Sequence, residues 1–144
     1  MRTGREVSVL VHRDGHLLLM RRARDGIWHI PAGGAEAGET NEQAAKRELL
    51  EESGLRVDRL DVLGHLCRYP IMDDDVRPYP PGLTDITHET FATRAPADWQ
   101  PRLDAEHTEH RWVAFDSVLS ELYFEETREA FKMLRARVRS DAAS

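Results

Sequence analysis

Between Gly33 and Leu55 the chain reads GGAEAGETNEQAAKRELLEESGL, a glycine-rich turn running straight into a segment of helical pattern. With Glu48 at zero on a helical wheel, Glu52 falls at about 40° and Glu51 at about −60°, so three carboxylates share one face. Like charges four residues apart repel by about a few tenths of a kcal/mol, and such a face needs a reason. Oxygen-only donors packed this closely suit a hard divalent cation, magnesium first and manganese or calcium after it. The absence of Cys and His from the helix argues against zinc. A solvated acidic face is the other reading the carboxylates alone allow.

Local signals fix the ends of this helix. Thr40 followed by Gln43 forms a capping box, and Gly54 supplies the left-handed residue that commonly ends a helix. Ala45 and Leu49 give an apolar edge, and Ala44 with Ala45 keeps bulk low one turn before Glu48.

At 144 residues, 40% hydrophobic and 32% charged, the chain fits one soluble globular domain over 1–144. No apolar run approaches a membrane span, so no membrane partner is expected. The start, MRTGREVSVLVHRDG, reads as a strand rather than a signal peptide, which points to the cytoplasm. The net charge of −6 argues against a stable nucleic-acid partner but not against one small phosphorylated ligand. Cys67 is the only cysteine, which excludes an intrachain disulfide and a multi-thiolate metal site; no base can be assigned to it, and core filling is its default. A homodimer is compatible with all of this, and nothing in the residues requires one.

Taken in order, Val7 to His12 and Leu17 to Arg22 flank Arg13-Asp14-Gly15-His16 and read as a hairpin. Arg21 and Arg22 end the second strand on opposite faces. Gly26 to Gly34 is a turn with an aromatic, Trp28, and a histidine, His29, that either touch a ligand or pack; packing is the commoner fate. Leu55 to Leu66 reads as a strand with a break near Asp61, continuing toward Cys67. Arg68 to Asp85 is the one long irregular stretch, holding four prolines and three consecutive aspartates, which reads as a lid or mobile segment with solvated charge. Ile86 to Thr93 alternates as a strand, Glu106 to Val113 leads into another, and Thr127 to Val138 has the spacing of a docked helix.

The spacing Gly33, five residues, Glu39, seven residues, Arg47-Glu48-Leu49, one residue, Glu51-Glu52, one residue, Gly54-Leu55 resembles the complete signature of the Nudix hydrolases. Seven of these positions demand a single residue type, so a chance match is of order one in a million or less. The resemblance implies an α/β fold, a Nudix-type α/β/α sandwich with a mixed sheet between helices. It implies Mg²⁺, with Mn²⁺ a substitute, held by Glu48 and Glu52, with Glu51 a further ligand or water-orienting base and the main-chain oxygen of Ala32 completing the shell. The family often has Gly where this chain has Ala32, a mild departure for a main-chain ligand. Arg47 would pair with Glu39 and hold the loop to the helix. Arg22 matches an arginine that often contacts substrate phosphate, with a solvent-exposed strand end as the alternative. The segment Glu106 to Trp112, the loop Tyr79 to Thr84 and Glu89 resemble the dihydroneopterin triphosphate pyrophosphatases, the dATP-cleaving branch, and there Glu106 matches a metal-approaching catalytic glutamate.

The reaction so implied is Mg²⁺-dependent hydrolysis of a pyrophosphate bond in a nucleoside or pterin triphosphate, by Glu51, Glu52 and Glu106, with Arg22 and Trp28 toward the substrate. An ADP-ribose or dinucleotide polyphosphate pyrophosphatase is the alternative of the same class. A nucleotide sensor without catalysis is the alternative of another class, against which the intact Glu48, Glu51 and Glu52 speak. An isomerase of isoprenoid diphosphates fits less well, since Cys67 lies outside the signature.

Overall fold

A computed structural model describes residues 2–143 of the chain. The first hairpin joins β1 (Arg5–Arg13) to β2 (His16–Arg22). Asp14 and Gly15 at its tip take φ of 51° and 72°, the paired left-handed turn whose twist matches that of flanking strands. β1 then carries the sheet: it pairs antiparallel with β4 (Ala32–Gly34) and parallel with β6 (Asp85–Arg94). β2 pairs with β3 (Trp28–His29) and β7 (His107–Ala114), and β5 (Asp61–Pro70) closes the far edge against β6. Among the described residues this makes a seven-stranded mixed sheet.

Helices cover both faces, and the residues of β1 show why. Val7, Val9 and Val11 enter one core with Ala44, Ala45 and Leu49 of α1 (Asn41–Ser53). Leu10, with Leu17 and Leu19 of β2, enters a second core with Val118 of α2 (Phe115–Glu121) and Phe131 and Leu134 of α3 (Glu125–Ala143). A strand buried on both sides reads as a continuous apolar run, as VSVLV does. The α/β/α sandwich is therefore a consequence of where β1 lies. No helix among the described residues is long and apolar enough to cross a membrane.

The capping box forms as its residues dictate: Thr40 Oγ1 accepts from Gln43 N at 3.1 Å, and Gln43 Oε1 accepts from Thr40 N at 2.9 Å. Gly54 closes α1 with φ 79°. The chain after it departs from the strand expected over Leu55 to Leu66. Residues 55–60 are irregular, because their backbone and the chain around them are tied to α1 side chains: Leu60 N donates to Glu42 Oε2 at 3.0 Å and Lys46 Nζ donates to Asp58 O at 3.0 Å. The strand begins only at Asp61 and carries a bulge between Val62 and His65, where Gly64 has φ 77°. Three further elements lack an obvious sequence signal. β3 and β4 are two and three residues long, and α2 follows Ala114, which offers no side-chain cap.

The face of the sheet below α3 holds a buried polar seam. Ser8 Oγ lies 2.8 Å from His88 Nε2 and 3.0 Å from Thr90 Oγ1. Burial pushes His88 down to about 4 and His29 to about 3. Both stay neutral when folded, whereas in the unfolded chain each takes up a proton near pH 6.5. The contribution of His88 is thus complete above pH 6.5 and is lost as pH falls through about 4, an effect on the order of 3 kcal/mol. We expect urea midpoints to fall between pH 7 and pH 4, and to fall less steeply in His88→Gln; parallel curves would remove His88 as a source of acid sensitivity.

Candidate functional site

The glycine turn and the acidic helix meet through one close approach. β4 is held to β1 by the register Val7↔Gly33 and Glu6↔Gly34, which presses Gly33 onto α1. A Cβ on Gly33 would lie 2.2 Å from Glu48 Cδ and 2.4 Å from its Oε1. Gly33 does not have a positive φ, so the demand is for space rather than for a left-handed backbone. Gly34 points the other way, where a Cβ would meet Glu6 Oε2 and Arg2 Nη1 at 3.6 Å, ordinary contact.

Arg47 binds this arrangement together. Its Nε and Nη2 donate to Glu39 Oε2 and Oε1 at 2.9 and 3.0 Å, Nη2 also donates to Gly34 O at 3.0 Å, and Nη1 donates to Glu48 Oε1 at 2.8 Å. Glu51 lies 3.6 Å from the same Nη1. One guanidinium thus ties the loop, the strand end and the helix, using the planar fork that only arginine supplies. The bidentate bond from Arg47 pulls the Glu39 carboxyl down to about 2, and Arg47 itself is driven above its usual range by Glu39 and Glu48.

Glu52 sits in the opposite condition. It is 5% exposed, and the hydrogen bond to its carboxylate is donated by Ala32 N to Oε1 at 2.9 Å. Burial pushes it up to about 8; the Ala32 amide works against this, while the negative charges of Glu48, Asp104 and Glu106 add to it. Burial also raises Glu48, the Arg47 hydrogen bond opposing it and Glu51 and Glu106 reinforcing it. Glu106, which comes from the turn before β7, thus acts on the helix carboxylates through its charge. Glu106 N donates to Asp104 Oδ1 at 3.2 Å and its carbonyl accepts from Ala23 N at 2.8 Å.

Asp104 is the residue that sequence reasoning missed. Its Oδ1 also lies 2.8 Å from His107 Nδ1, and the His107 side chain is only 6% exposed. The one available signal was its spacing two residues before Glu106. Glu51 is the open member of the set, its side chain 56% exposed, and it borders a cavity of about 410 Å³ lined also by Leu50, Trp99, Gln100, Arg102 and Leu103.

The two residues expected to face substrate both have partners in the structure. Arg22 donates from Nε and Nη2 to Asp25 at 3.1 and 2.6 Å and lies 5.5 Å above the Phe124 ring. The ring of Trp28 packs beside the second core with the Arg111 guanidinium 4.3 Å over it. Among the described residues neither is joined to Glu48, Glu51 or Glu52 by a hydrogen bond or ion pair. Cys67 is half-buried with its thiol pushed up by burial, and Asp75 of the aspartate run is clamped by Arg77 at 2.6 Å.

The donor set, Glu48, Glu51, Glu52 and Glu106 with the backbone of Ala32, is all oxygen, which fits a hard divalent cation. A cation beside Glu52 would also answer its clash with three like-charged neighbours. Among the described residues no three acidic or histidine side chains converge into a preassembled cage; Arg47 occupies Glu48 Oε1.

A family model described as NUDIX domain matches residues 2–136. An octanoyltransferase of Myxococcus xanthus is 37% identical over 145 residues, covering 92% of this chain and 37% of that protein. The NAD-capped RNA hydrolase NudC of Edwardsiella ictaluri is 52% identical over 56 residues, covering 38% of this chain and 22% of that one. The chain therefore spans well under half the length of these curated relatives. In structure it is similar to the E. coli dihydroneopterin triphosphate pyrophosphohydrolase, with a TM-score of 0.78 at 24% identity over 91% of this chain and 94% of that one, a likeness of fold.

Two outcomes follow from the geometry. Gly33→Ala should lower stability by about 1–3 kcal/mol through the overlap with Glu48, whereas Gly34→Ala should stay within about 1 kcal/mol; equal melting temperatures for the two variants would refute the close approach. Between pH 4.5 and about 8 folded Glu52 keeps a proton that the unfolded chain has released, so its burial costs stability progressively as pH rises through that window. Chemical denaturation without divalent ions should show Glu52→Gln gaining stability relative to the parent from pH 5 to pH 8.5, and a constant difference would contradict the assignment.

Proposed function

We propose, because this chain belongs to the NUDIX domain family, that it hydrolyses the pyrophosphate bond of a nucleoside or pterin triphosphate with a divalent cation, magnesium first and manganese in its place. The observation that carries the reading is Glu52: a buried carboxylate one helical turn from Glu48, facing Asp104 and Glu106, and held by the amide of the glycine turn. Uncompensated, such a group keeps its proton; its ionised form is what cation binding selects.

In this reading Glu48 and Glu52, with Glu106 and the Ala32 carbonyl, hold the cation. When bound, it would supply Lewis-acid charge to the phosphate oxygens and lower the pKa of a water. Glu51, half-exposed and only loosely paired, is free to orient that water and accept its proton. Arg47 keeps the helix and loop in register, and its charge stays fixed because Glu39 holds it. The Asp104–His107 pair anchors the turn that carries Glu106. Arg22 donates to Asp25 from Nε and Nη2, so a phosphate would be met by its Nη1 or in exchange for Asp25.

One observation favours a longer substrate. The cavity beside Glu51 is bordered by Trp99 and Arg102, residue types suited to a second ring and its phosphate, as in ADP-ribose or a dinucleotide polyphosphate. A screen of nucleoside triphosphates, a pterin triphosphate, ADP-ribose and a dinucleotide polyphosphate with Mg²⁺, scoring pyrophosphate against phosphate release, separates these substrates. No turnover of any of them would leave a nucleotide sensor. Glu52→Gln should cut kcat at least a hundredfold, and Glu106→Gln should lower kcat with little change in KM. Parent-like rates in either at saturating Mg²⁺ would remove that residue from the reaction.

A further inference from the structure

Past the end of β2 the chain reads Arg22-Ala23-Arg24-Asp25-Gly26-Ile27 and doubles back into β3. Two main-chain bonds close this turn: Arg22 N donates to Ile27 O at 2.9 Å and Gly26 N to Arg22 O at 2.8 Å. Asp25 adds the rest. Its Oδ1 accepts from Ile27 N at 3.0 Å, the bond to an amide two residues on that makes aspartate a turn residue. Both of its oxygens also accept from the Arg22 guanidinium, at 3.1 Å from Nε and 2.6 Å from Nη2. One carboxylate therefore fixes the backbone of the turn and the direction of the arginine that opens it.

The same turn holds Glu106. β7 pairs with β2 in regular register from Ala114 to Glu109, and then the pairing shifts: Arg21 lies opposite Glu109 and Arg22 opposite His107, which leaves Thr108 as the extra residue of a bulge. A ladder interrupted there does not by itself place the residue beyond it. Among the described residues the main chain of Glu106 has two ties. Its N donates to Asp104 Oδ1 at 3.2 Å, and its O accepts from Ala23 N at 2.8 Å. Ala23 stands between Arg22, which Asp25 clamps, and Arg24, whose Nε lies 3.7 Å from Asp25 Oδ2.

We propose that Asp25 is a positioning residue for the reaction: through the 22–27 turn and the Ala23 amide it sets the place of Glu106, and with the same carboxylate it holds Arg22. The inference deepens the phosphoanhydride reading above and rests on it for the roles of those two residues. Without Asp25, Ile27 N loses its acceptor and the Arg22 guanidinium loses its carboxylate. The Ala23 amide is then held less firmly, and Glu106 moves with it, a displacement that costs rate because the reacting groups must be in register. Arg22, released, becomes more available to a phosphate. Binding and chemistry therefore respond in opposite directions. Asparagine keeps an oxygen for Ile27 N and so preserves the turn while giving up the charge.

The test combines amide exchange, metal binding and turnover on the whole chain. Hydrogen exchange followed by NMR without metal should show the Ala23 amide exchanging at least tenfold faster in Asp25→Ala while the amides of β1 keep their rates, and Asp25→Asn should stay near the parent. Calorimetry should show Asp25→Ala binding Mn²⁺ at least threefold more weakly. With Mg²⁺ and the triphosphate cleaved fastest in the screen above, Asp25→Ala should lower kcat about tenfold with KM unchanged or lower, and Asp25→Asn should recover most of the loss. Asp25→Ala combined with Glu106→Gln should be no slower than Glu106→Gln alone, since both act through one group. A tenfold loss that persists on top of Glu106→Gln overturns the proposal, as does an unchanged Ala23 amide in Asp25→Ala or an Asp25→Asn variant as slow as Asp25→Ala. Faster Ala23 exchange and weaker Mn²⁺ binding in Asp25→Ala, in a chain that hydrolyses none of the substrates screened, support the positioning of Glu106 and sink the hydrolase reading instead.

Discussion

The burial of a carboxylate among carboxylates organises this molecule. Glu52 is deeply buried beside Glu48, Asp104 and Glu106, and the surrounding contacts hold that unfavourable grouping in place. Arg47 spends all three guanidinium nitrogens here: two on Glu39, whose Oε1 also accepts from Glu36 N, and one on Glu48. The positive charge offsets part of the repulsion while leaving Glu51 and Glu52 without a strong cationic partner of their own. A site whose repulsion were fully neutralised by arginine would have no reason to take up a metal. Here the compensation is partial, and the remaining negative potential is what a divalent ion and a phosphate chain require.

The rest of the fold serves the placement of that group. β1, apolar on both faces, lies between α1 and α3 and carries β4 on its edge. Because β4 is only three residues long, its two glycines act almost as point contacts, one for the helix and one for Glu6 on the opposite face. The loop after β6 returns under α1, where Arg102 N donates to Ser53 O at 2.8 Å, and so brings the charges of Asp104 and Glu106 within electrostatic reach of Glu52.

Much of this is legible in the residues. The helix, its capping box and its terminal glycine depend on short-range chemistry and emerge as the spacing predicts, and the sandwich follows from the apolar runs. What escapes the sequence depends on partners distant along the chain. Residues 55–60 have the composition of a strand, but Glu42 and Lys46 of the preceding helix take their backbone groups. α2 has no cap to announce it. Asp104 reads as an ordinary loop aspartate until the loop is folded against α1. The roles expected for Arg22 and Trp28 come from position along the chain; in the structure Arg22 pairs with Asp25 and the Arg111 guanidinium lies over Trp28.

The alternation at Gly33 and Gly34 also governs how the molecule can change over generations. Inserting or removing a single residue between Ile30 and Gly34 would exchange the two faces of β4 and send a side chain into the space Glu48 occupies. The turn is therefore closed to insertion even though it lies at a sheet edge, and diversification is diverted into the loops around it.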